Sequence, residues 1–252
     1  MTELNTIVDY LDGYLEVAKF SDYCPNGLQV EGKPEVQKII SGVTASQALI
    51  DAAISESADA ILVHHGYFWR GEVAAITGTR RRRIKALLDH DISLLAYHLP
   101  LDAHPEIGNN ASLAHQLGLQ IDGVVDSGPA KHILFYGHTE QPYSVDSFEE
   151  LLAQRLQRNP VVVRGSGEPL QRIAWCTGGA QGYIEEAAKL GVDAYLSGEI
   201  SEQTTHAARE NELHYFAAGH HATERYGAPA LGEHLSQRYG VQHMFIEIDN
   251  PA

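Results

Sequence analysis

The segment Ala60-Ile61-Leu62-Val63-His64-His65-Gly66 carries the strongest structural signal in the sequence. Its first four residues form an unbroken apolar run, which is typical of a strand covered on both faces in a parallel sheet. The run then delivers two adjacent histidines and a glycine at its carboxyl end. Ligand sites of α/β sheets form at that end, because the loops there converge on the edge of the sheet. The sequence therefore predicts a buried strand that carries a histidine pair at a functional edge.

Outward from this strand, apolar runs alternate with amphipathic segments. Strands are predicted at residues 38–43, 92–97, 173–176, 194–197, 213–218 and 244–248, and helices at residues 47–57, 81–89, 202–210 and 223–239. Asn109 or Asn110 is predicted to cap a further helix that stops at Gly118. This alternation predicts an α/β fold with mainly parallel sheets.

The chain is predicted to have three parts. Residues 1–125 form a first α/β half, residues 126–165 a short βαβ insert, and residues 166–252 a second α/β half that is intertwined with the first. In the insert, the spacing of Ser147 and Glu150 predicts the start of a helix with a capping box.

An internal echo indicates that the two halves are related. The segment around Asp59 resembles the segment around Asp193, at an offset of 134 residues (193 minus 59). Further along, the motif His98-x-x-x-Asp102 resembles His220-x-x-x-Glu224, at an offset of 122 residues (220 minus 98). Because both matches come in the same order, pseudo-repeated halves are expected.

The composition excludes several classes of protein. The 252 residues carry a formal net charge of −15, which argues against broad attraction to nucleic acid or to an anionic membrane. No apolar run approaches the ~18–20 residues that a membrane span needs. Cys24 and Cys176 form no CxxC motif, and the first residues have no basic start of a secretory signal. We therefore expect a cytoplasmic protein with reduced, buried thiols.

Metal-capable side chains follow three of the predicted strands. They are the pair His64-His65, then His98 with Asp102, and then His220-His221 with Glu224. An isolated pair of adjacent histidines is more often a structural couple than a pair of ligands. The repeated placement after apolar strands favours a metal site, and His220 and Glu224 share a face if their turn is helical. Imidazole and carboxylate without thiolate favour Zn, Fe, Mn, Co or Ni.

Three other features each have two interpretations. Arg80–Arg83 form either a solvated helix face or a basic patch that steers a phosphate-bearing substrate. The segment Thr177–Gly179 is either a tight turn that needs glycine or an anion cradle at the start of a helix. Tyr67 and Trp69, just past the histidine pair, either wall the site and stack on a ring or pack between the halves.

Longer motifs carry a family resemblance that covers the chain from about Ser21 to Pro251. They are Pro25–Val30, Val63–Gly66, His98–His104, Ser197–Glu199 and Gly219–Arg225. Together they resemble the GTP cyclohydrolase 1 type 2 homologue family, the Nif-three-like dinuclear metal-binding proteins, in its short bacterial form. The resemblance implies two interlocked α/β lobes with the metal site between them, two divalent metal ions per subunit, and a toroidal homohexamer.

The resemblance also implies which residues bind the metals. Carried over by position, the ligands are His64, His65, Asp102, His220 and Glu224, with Glu224 bridging the ions. His98 matches its motif too, as a weaker ligand or a residue just behind the ligands. At the offset of 134 residues, Glu199 corresponds to His65, which predicts a catalytic carboxylate that moves protons for a metal-bound water. The alternative for Glu199 is a carboxylate that stabilises the start of a helix.

Two classes of function follow from this site. The first is a metal-dependent hydrolase of the GTP cyclohydrolase 1 type 2 kind, acting on a small substrate such as a nucleotide or another phosphate-bearing molecule. The second is a scaffold or regulatory protein that needs metal and has no turnover. The ligand set leaves coordination positions open, as catalytic sites do, which favours the hydrolase.

Overall fold

A computed structural model describes residues 1–126, 132–167 and 169–252 of the chain, so residues 127–131 of the predicted insert lie outside the described residues. The helices are α1 (Leu4–Tyr14), α2 (Gln47–Ser55), α3 (Gly78–Asp89), α4 (Leu99–Ala103), α5 (Asn109–Leu117), α6 (Val145–Leu156), α7 (Ile184–Lys189), α8 (Glu202–Glu210), α9 (His220–Glu224) and α10 (Gly227–Tyr239). The strands are β1 (Thr2–Glu3), β2 (Gly27–Val30), β3 (Glu35–Val36), β4 (Lys38–Thr44), β5 (Ala60–His65), β6 (Ser93–Ala96), β7 (Leu119–Val125), β8 (Leu134–Tyr143), β9 (Val161–Val163), β10 (Leu170–Cys176), β11 (Ala194–Ser197), β12 (His214–Ala217) and β13 (Gln242–Phe245).

The chain divides into two compact units. Unit 1 contains Met1–Leu101 and Gly227–Asp249, and unit 2 contains Asp102–Tyr226 and Asn250–Ala252. This division differs from the predicted boundaries at residues 125 and 165. Strands β7, β8 and β9 belong to the six-stranded sheet of unit 2, so the predicted βαβ insert is part of that sheet.

Unit 1 is built on the five-stranded sheet β13-β4-β5-β6-β2. The pairs β13–β4, β4–β5 and β5–β6 are parallel, and the edge strand β2 runs antiparallel to β6. The central strand β5 is buried from Ala60 to His64, as its apolar run predicts. It therefore holds His64 and His65 at its carboxyl end.

Unit 2 is built on the six-stranded sheet β7-β8-β10-β11-β12-β9. Its centre, β10-β11-β12, is parallel, whereas β7, β8 and β9 join by antiparallel pairing. The prediction of mainly parallel sheets thus holds for unit 1 and for the centre of unit 2. The connection from β7 to β8 is too short for the crossover that a parallel pair requires.

The helices are short and start at local signals. Helix α6 begins at Val145, because Ser144 is its N-cap and accepts a hydrogen bond from the Ser147 backbone at 3.2 Å. The predicted N-cap at Ser147 therefore lies three residues after the observed N-cap, Ser144. The segment predicted as one helix over residues 223–239 is two helices, α9 and α10. Within the described ranges, no helix has the length and apolarity that a membrane crossing needs.

The hydrogen bonds within each unit reveal the repeat. In unit 1, Asp59 Oδ2 accepts from the backbone N–H groups of residues 37 and 38, at 2.9 and 3.1 Å. In unit 2, Asp193 Oδ2 accepts from those of residues 171 and 172, at 2.8 and 2.7 Å. Each aspartate precedes the second parallel strand of its unit and binds the start of the first. The predicted offset of 134 residues is therefore a structural equivalence.

The second predicted offset is wrong by one residue. Tyr97 N donates to Val63 O at 3.0 Å in unit 1, and Ala218 N donates to Ser197 O at 2.8 Å in unit 2. These bonds pair positions 121 residues apart (218 minus 97), so His220 corresponds to Leu99. The physical reason is that His98 precedes α4, whereas His220 is the first residue of α9.

We predict that Asp59→Asn lowers the free energy of unfolding by about 1–2 kcal/mol at neutral pH, since a charged acceptor of two backbone N–H groups is lost. Burial alone would raise the pKa of Asp59, but these backbone hydrogen bonds and Lys33 outweigh it and lower that pKa. The stabilisation is therefore present above the unfolded pKa of ~3.9 and is lost as the pH falls through the folded value. Urea titrations of both proteins should converge below about pH 4.

Asp193→Asn should reproduce the neutral-pH loss in unit 2. Asp51→Asn is the matched control, because Asp51 is exposed on α2 and accepts from Gln47 within the same helix. A loss in the control equal to that of Asp59→Asn would contradict the role given to the repeated aspartates.

Candidate metal centre

Unit 1 gathers three of the predicted ligands into a histidine cluster, defined as His64, His65 and His98. One ring nitrogen from each lies within 4.8 Å of the others. The ring centroid of His64 lies 4.5 Å from that of His65 and 5.0 Å from that of His98. Strand β5 supplies the first two residues, and His98 follows β6, the parallel neighbour of β5. The register of the sheet thus brings together side chains that are 33 residues or more apart in sequence.

The rings of the pair on β5 are held through Nδ1. His64 is fully buried and donates from Nδ1 to the carbonyl of Tyr97 at 2.9 Å. His65 Nδ1 shares a hydrogen bond of 3.2 Å with Thr44 Oγ1. An imidazole that donates from Nδ1 carries its lone pair on Nε2, which is the arrangement of most metal-binding histidines.

His98 is held by a turn that precedes β2. Asp22 accepts a 2.7 Å bond from His98 Nδ1 and a 2.9 Å bond from the backbone of Leu99. Asn26 Oδ1 accepts from the backbone of His98 at 2.7 Å. Burial acts to raise the pKa of Asp22, but the hydrogen bond and charge of His98, together with hydrogen bonds from Asn26 and the Tyr23 backbone, outweigh it and lower that pKa. Asp22 is therefore a carboxylate that orients His98, a role that the sequence reasoning missed.

Unit 2 contains the predicted carboxylates. Asp102 is 6% exposed and Glu224 is 3% exposed. Asp102 Oδ1 accepts from Asn109 Nδ2 at 2.9 Å, and the Asp102 carbonyl accepts from Asn110 Nδ2 at 3.2 Å. The N-cap of α5 is Gly108, so the predicted capping by Asn109 or Asn110 is wrong. These amides position Asp102 instead, because a buried carboxylate needs hydrogen-bond donors.

Asn110 links the backbone of Asp102 to the parallel strands of unit 2. Its Oδ1 accepts from the backbone of Thr177 at 3.0 Å, and its carbonyl accepts from Trp175 Nε1 at 3.0 Å. Both partners lie at the end of β10. The adjacent pair of asparagines seven residues after Asp102 was the available sequence signal, and it was taken for a cap.

His220 lies between two carboxylates of unit 2. Its Nε2 is 3.1 Å from Glu224 Oε2, and its Nδ1 donates to Glu199 Oε1 at 2.7 Å. Burial opposes the protonated ring, but Glu224 and Glu199 outweigh it and raise the pKa of His220 to about 9. These two carboxylates therefore favour a positive charge at this point. Glu199, predicted from the echo, lies where it contacts a proposed ligand.

A glycine turn closes behind Glu224. Gly178 has a φ of +67°, and a Cβ there would lie 1.8 Å from Glu224 Oε1. Its N–H donates to Thr223 Oγ1 at 3.0 Å, and its carbonyl accepts from Ser197 Oγ at 3.1 Å. The segment Thr177–Gly179 is thus the tight turn of the first interpretation, and it leaves the room that the carboxylate occupies.

The thiol of Cys176 does not add a thiolate to this set. Burial raises the pKa of Cys176 well above its usual value, and the charges of Asp102 and Glu224 raise it further. The side chains that can bind a metal in unit 2 are therefore imidazole and carboxylate groups, as the sequence predicts. The structure thus places the predicted ligands in two sets, the histidine cluster of unit 1 and the set Asp102, His220 and Glu224 of unit 2.

Comparisons with known proteins give the chain its relatives. The model of the Duf34/NIF3 (NGG1p interacting factor 3) family matches residues 2–251. A Pseudomonas aeruginosa protein described as a GTP cyclohydrolase 1 type 2 homolog is 56% identical over 249 residues, which are 99% of this chain and 98% of the relative. The solved structure of protein ybgI, described as of unknown function, is 49% identical with a TM-score of 0.96 and covers 100% of both chains. TTHA1606 from Thermus thermophilus is 34% identical with a TM-score of 0.89, again over 100% of both chains.

We predict that Gly178→Ala destabilises the protein more than Gly118→Ala, its matched control. Both glycines have a similar positive φ, +67° and +71°, so the backbone strain of about 1–2 kcal/mol is shared. A Cβ at Gly118 meets nothing within 4 Å, whereas one at Gly178 must displace Glu224. Overpacking should add about 1–3 kcal/mol, measured by urea unfolding. Equal losses in the two variants would show that Gly178 is needed for its backbone alone.

Proposed function

We propose that this chain, which belongs to the Duf34/NIF3 family, binds a pair of divalent metal ions and uses them to hydrolyse a small substrate. The proposed ligands are His64, His65, Asp102, His220 and Glu224, with His98 as a further ligand and Glu224 as the bridge. A nucleotide or another phosphate-bearing molecule is the proposed substrate, in line with the name GTP cyclohydrolase 1 type 2 homolog that the relatives carry.

One observation carries the metal proposal. In all four histidines the protein engages Nδ1, through a backbone carbonyl, a hydroxyl or a carboxylate. Metal-binding histidines are held in this way by their outer partners, which leaves Nε2 for the ion. Three of the four rings, those of His64, His65 and His98, also gather with one nitrogen of each within 4.8 Å of the others. The chemistry of the donors agrees, since imidazole and carboxylate suit Zn, Fe, Mn, Co or Ni.

The charge pattern of unit 2 supports the same proposal. Glu224 and Glu199 lie against the two ring nitrogens of His220 and raise its pKa, so their charges favour a cation beside them. A divalent ion would take the place of the proton on Nε2, while Glu199 continues to hold Nδ1. When bound, such a pair of ions supplies Lewis acidity and activates water near neutral pH.

Glu199 is the proposed proton carrier. Its side chain is 46% exposed and therefore in contact with solvent, and its Oε1 reaches His220 Nδ1. Its Oε2 accepts from Gln181 Nε2 at 3.2 Å, which holds the carboxylate in place. Glu199 therefore both orients a ligand and links it to solvent. The toroidal homohexamer and the cytoplasmic location stay predictions from the family resemblance and the composition.

We predict that Glu224→Ala removes more metal than His98→Ala. A bridging carboxylate serves both ions, whereas His98 is an additional ligand. Loss of an outer partner typically costs 10–100-fold in metal affinity, so loss of the bridge should cost at least about 100-fold. Elemental analysis after dialysis against a buffered metal solution measures this. Glu210→Ala, at an exposed position on α8, should keep the full metal content; a Glu224→Ala protein that does the same would rule out the bridge.

We also predict that any hydrolytic activity disappears on chelation and returns when the metal is restored. A panel of nucleotides, phosphoesters and peptides would be tested on the chelated protein, the refilled protein and Glu224→Ala. Activity that survives complete removal of metal would contradict the hydrolase proposal. A fully metallated protein that turns over none of the panel would support the alternative, a metal-dependent scaffold or regulator.

A further inference from the structure

Trp69 lies in an exposed loop beside the histidine cluster of unit 1. The loop connects β5 to α3, and its residues from Arg70 to Thr77 are exposed. Phe68, directly before Trp69, is 37% exposed, whereas Trp69 itself is half-buried. The Trp69 side chain is therefore packed against the protein, although the residues that follow it in the loop face solvent.

The Trp69 ring packs against two proposed ligands, His65 and His98. The Trp69 ring lies 4.9 Å from the His98 ring at an interplanar angle of 84°, and 5.8 Å from the His65 ring. Tyr23, which is 43% exposed, approaches His98 edge-on at 6.4 Å. Two partly exposed aromatic rings thus border the imidazole of His98. These rings lie beside two of the proposed ligands and leave part of their apolar surface open to solvent.

The loop holds Trp69 with three polar contacts. The indole Nε1 donates to Gly66 O at 3.3 Å, the Trp69 N–H donates to Glu72 Oε2 at 3.2 Å, and the Glu72 N–H donates to Trp69 O at 3.1 Å. Arg80 from α3 pairs with the Glu72 carboxylate and donates to Val73 O at 2.6 Å. The first arginine of the basic run therefore stabilises the loop that carries Trp69. A preorganised aromatic ring loses little entropy when it binds a ligand.

We propose that Trp69 is the stacking surface for a planar heteroaromatic ring of the substrate, and that Arg80 and Glu72 position it. The inference rests on the proposed metal function, since the ring would lie next to the histidine cluster. Every planar base has a π-face, so stacking on an indole accepts such rings with little regard to their polar edges. The metal ligands then act on the group that the ring presents to them.

The test compares a ring-bearing probe with a ring-free one on the metallated protein. Guanosine 5′-monophosphate and ribose 5-phosphate share the sugar phosphate and differ in the planar base. Calorimetry should show that Trp69→Ala weakens the binding of guanosine monophosphate by about 10-fold or more and leaves the binding of ribose 5-phosphate unchanged. Trp69→Phe should lie between the two, because it keeps a smaller ring. Equal affinity of the nucleotide for wild type and Trp69→Ala would overturn the proposal.

Fluorescence gives an independent readout, because the chain has two tryptophans and the other, Trp175, is fully buried in unit 2. Purine, pyrimidine and pterin compounds should quench the wild-type emission, and Trp69→Phe should abolish that quenching. Absence of quenching or binding by all of these rings at millimolar concentration would also overturn the proposal.

Two arginine variants separate positioning from charge. Arg80→Gln should weaken the binding of the nucleotide and not that of ribose 5-phosphate, because the loop loses the contacts of Arg80 with Glu72 and Val73. Arg81→Gln, at the exposed next position, should leave ring binding unchanged or weaken both probes alike if it attracts phosphate. Metal content is measured in every sample. A wild-type protein that holds no metal would contradict the metal function. A metallated protein whose affinity for the nucleotide does not change in Trp69→Ala would contradict this inference alone.

Discussion

The hydrogen bond from His64 Nδ1 to the carbonyl of Tyr97 fixes a proposed metal ligand to the sheet of unit 1. Tyr97 N donates in turn to Val63 O, so the side chain of His64 extends the parallel ladder by one more bond. Because His64 is fully buried, its ring cannot replace this hydrogen bond with one to water. A shift in the register of β5 and β6 would therefore move the proposed ligand atoms as well as the strands. The positions of His65 and His98 depend on the same register.

Each unit also provides a carboxylate that holds a histidine from behind. Asp22 holds His98 and Glu199 holds His220, both through Nδ1 at 2.7 Å. The two pairs are not equivalent positions of the repeat, since His98 corresponds to Gly219 in the hydrogen-bond register (219 minus 98 is again 121). The repeat thus preserves the strand ends that carry the proposed ligands, while the residues that hold the histidines differ between the units.

Apolar runs and their ends predicted the framework because burial on both faces leaves a strong signal in sequence. Strands β4, β5 and β11 were placed within two residues, and β5 brought its histidine pair with it. Polar residues that act at a distance in sequence were not predicted in the same way. Asp22 acts on a residue 76 positions away, and nothing in its local pattern distinguishes it from an ordinary turn residue. Asn109 and Asn110 gave a misleading local signal, because the same amide groups serve a cap or a buried carboxylate equally well.

The path of the chain has a consequence for its synthesis. Unit 2 is continuous from Asp102 to Tyr226 apart from the last three residues, whereas unit 1 takes α10 and the edge strand β13 from the end of the chain. On the ribosome, strands β4 to β6 emerge first and wait for β13, whose partner β4 lies about two hundred residues upstream. Until then the edge of β4 is an unpaired template for other strands. Closure of unit 1 is therefore a long-range and late event, and the interval before it is when nascent chains are most exposed to aggregation and chaperones.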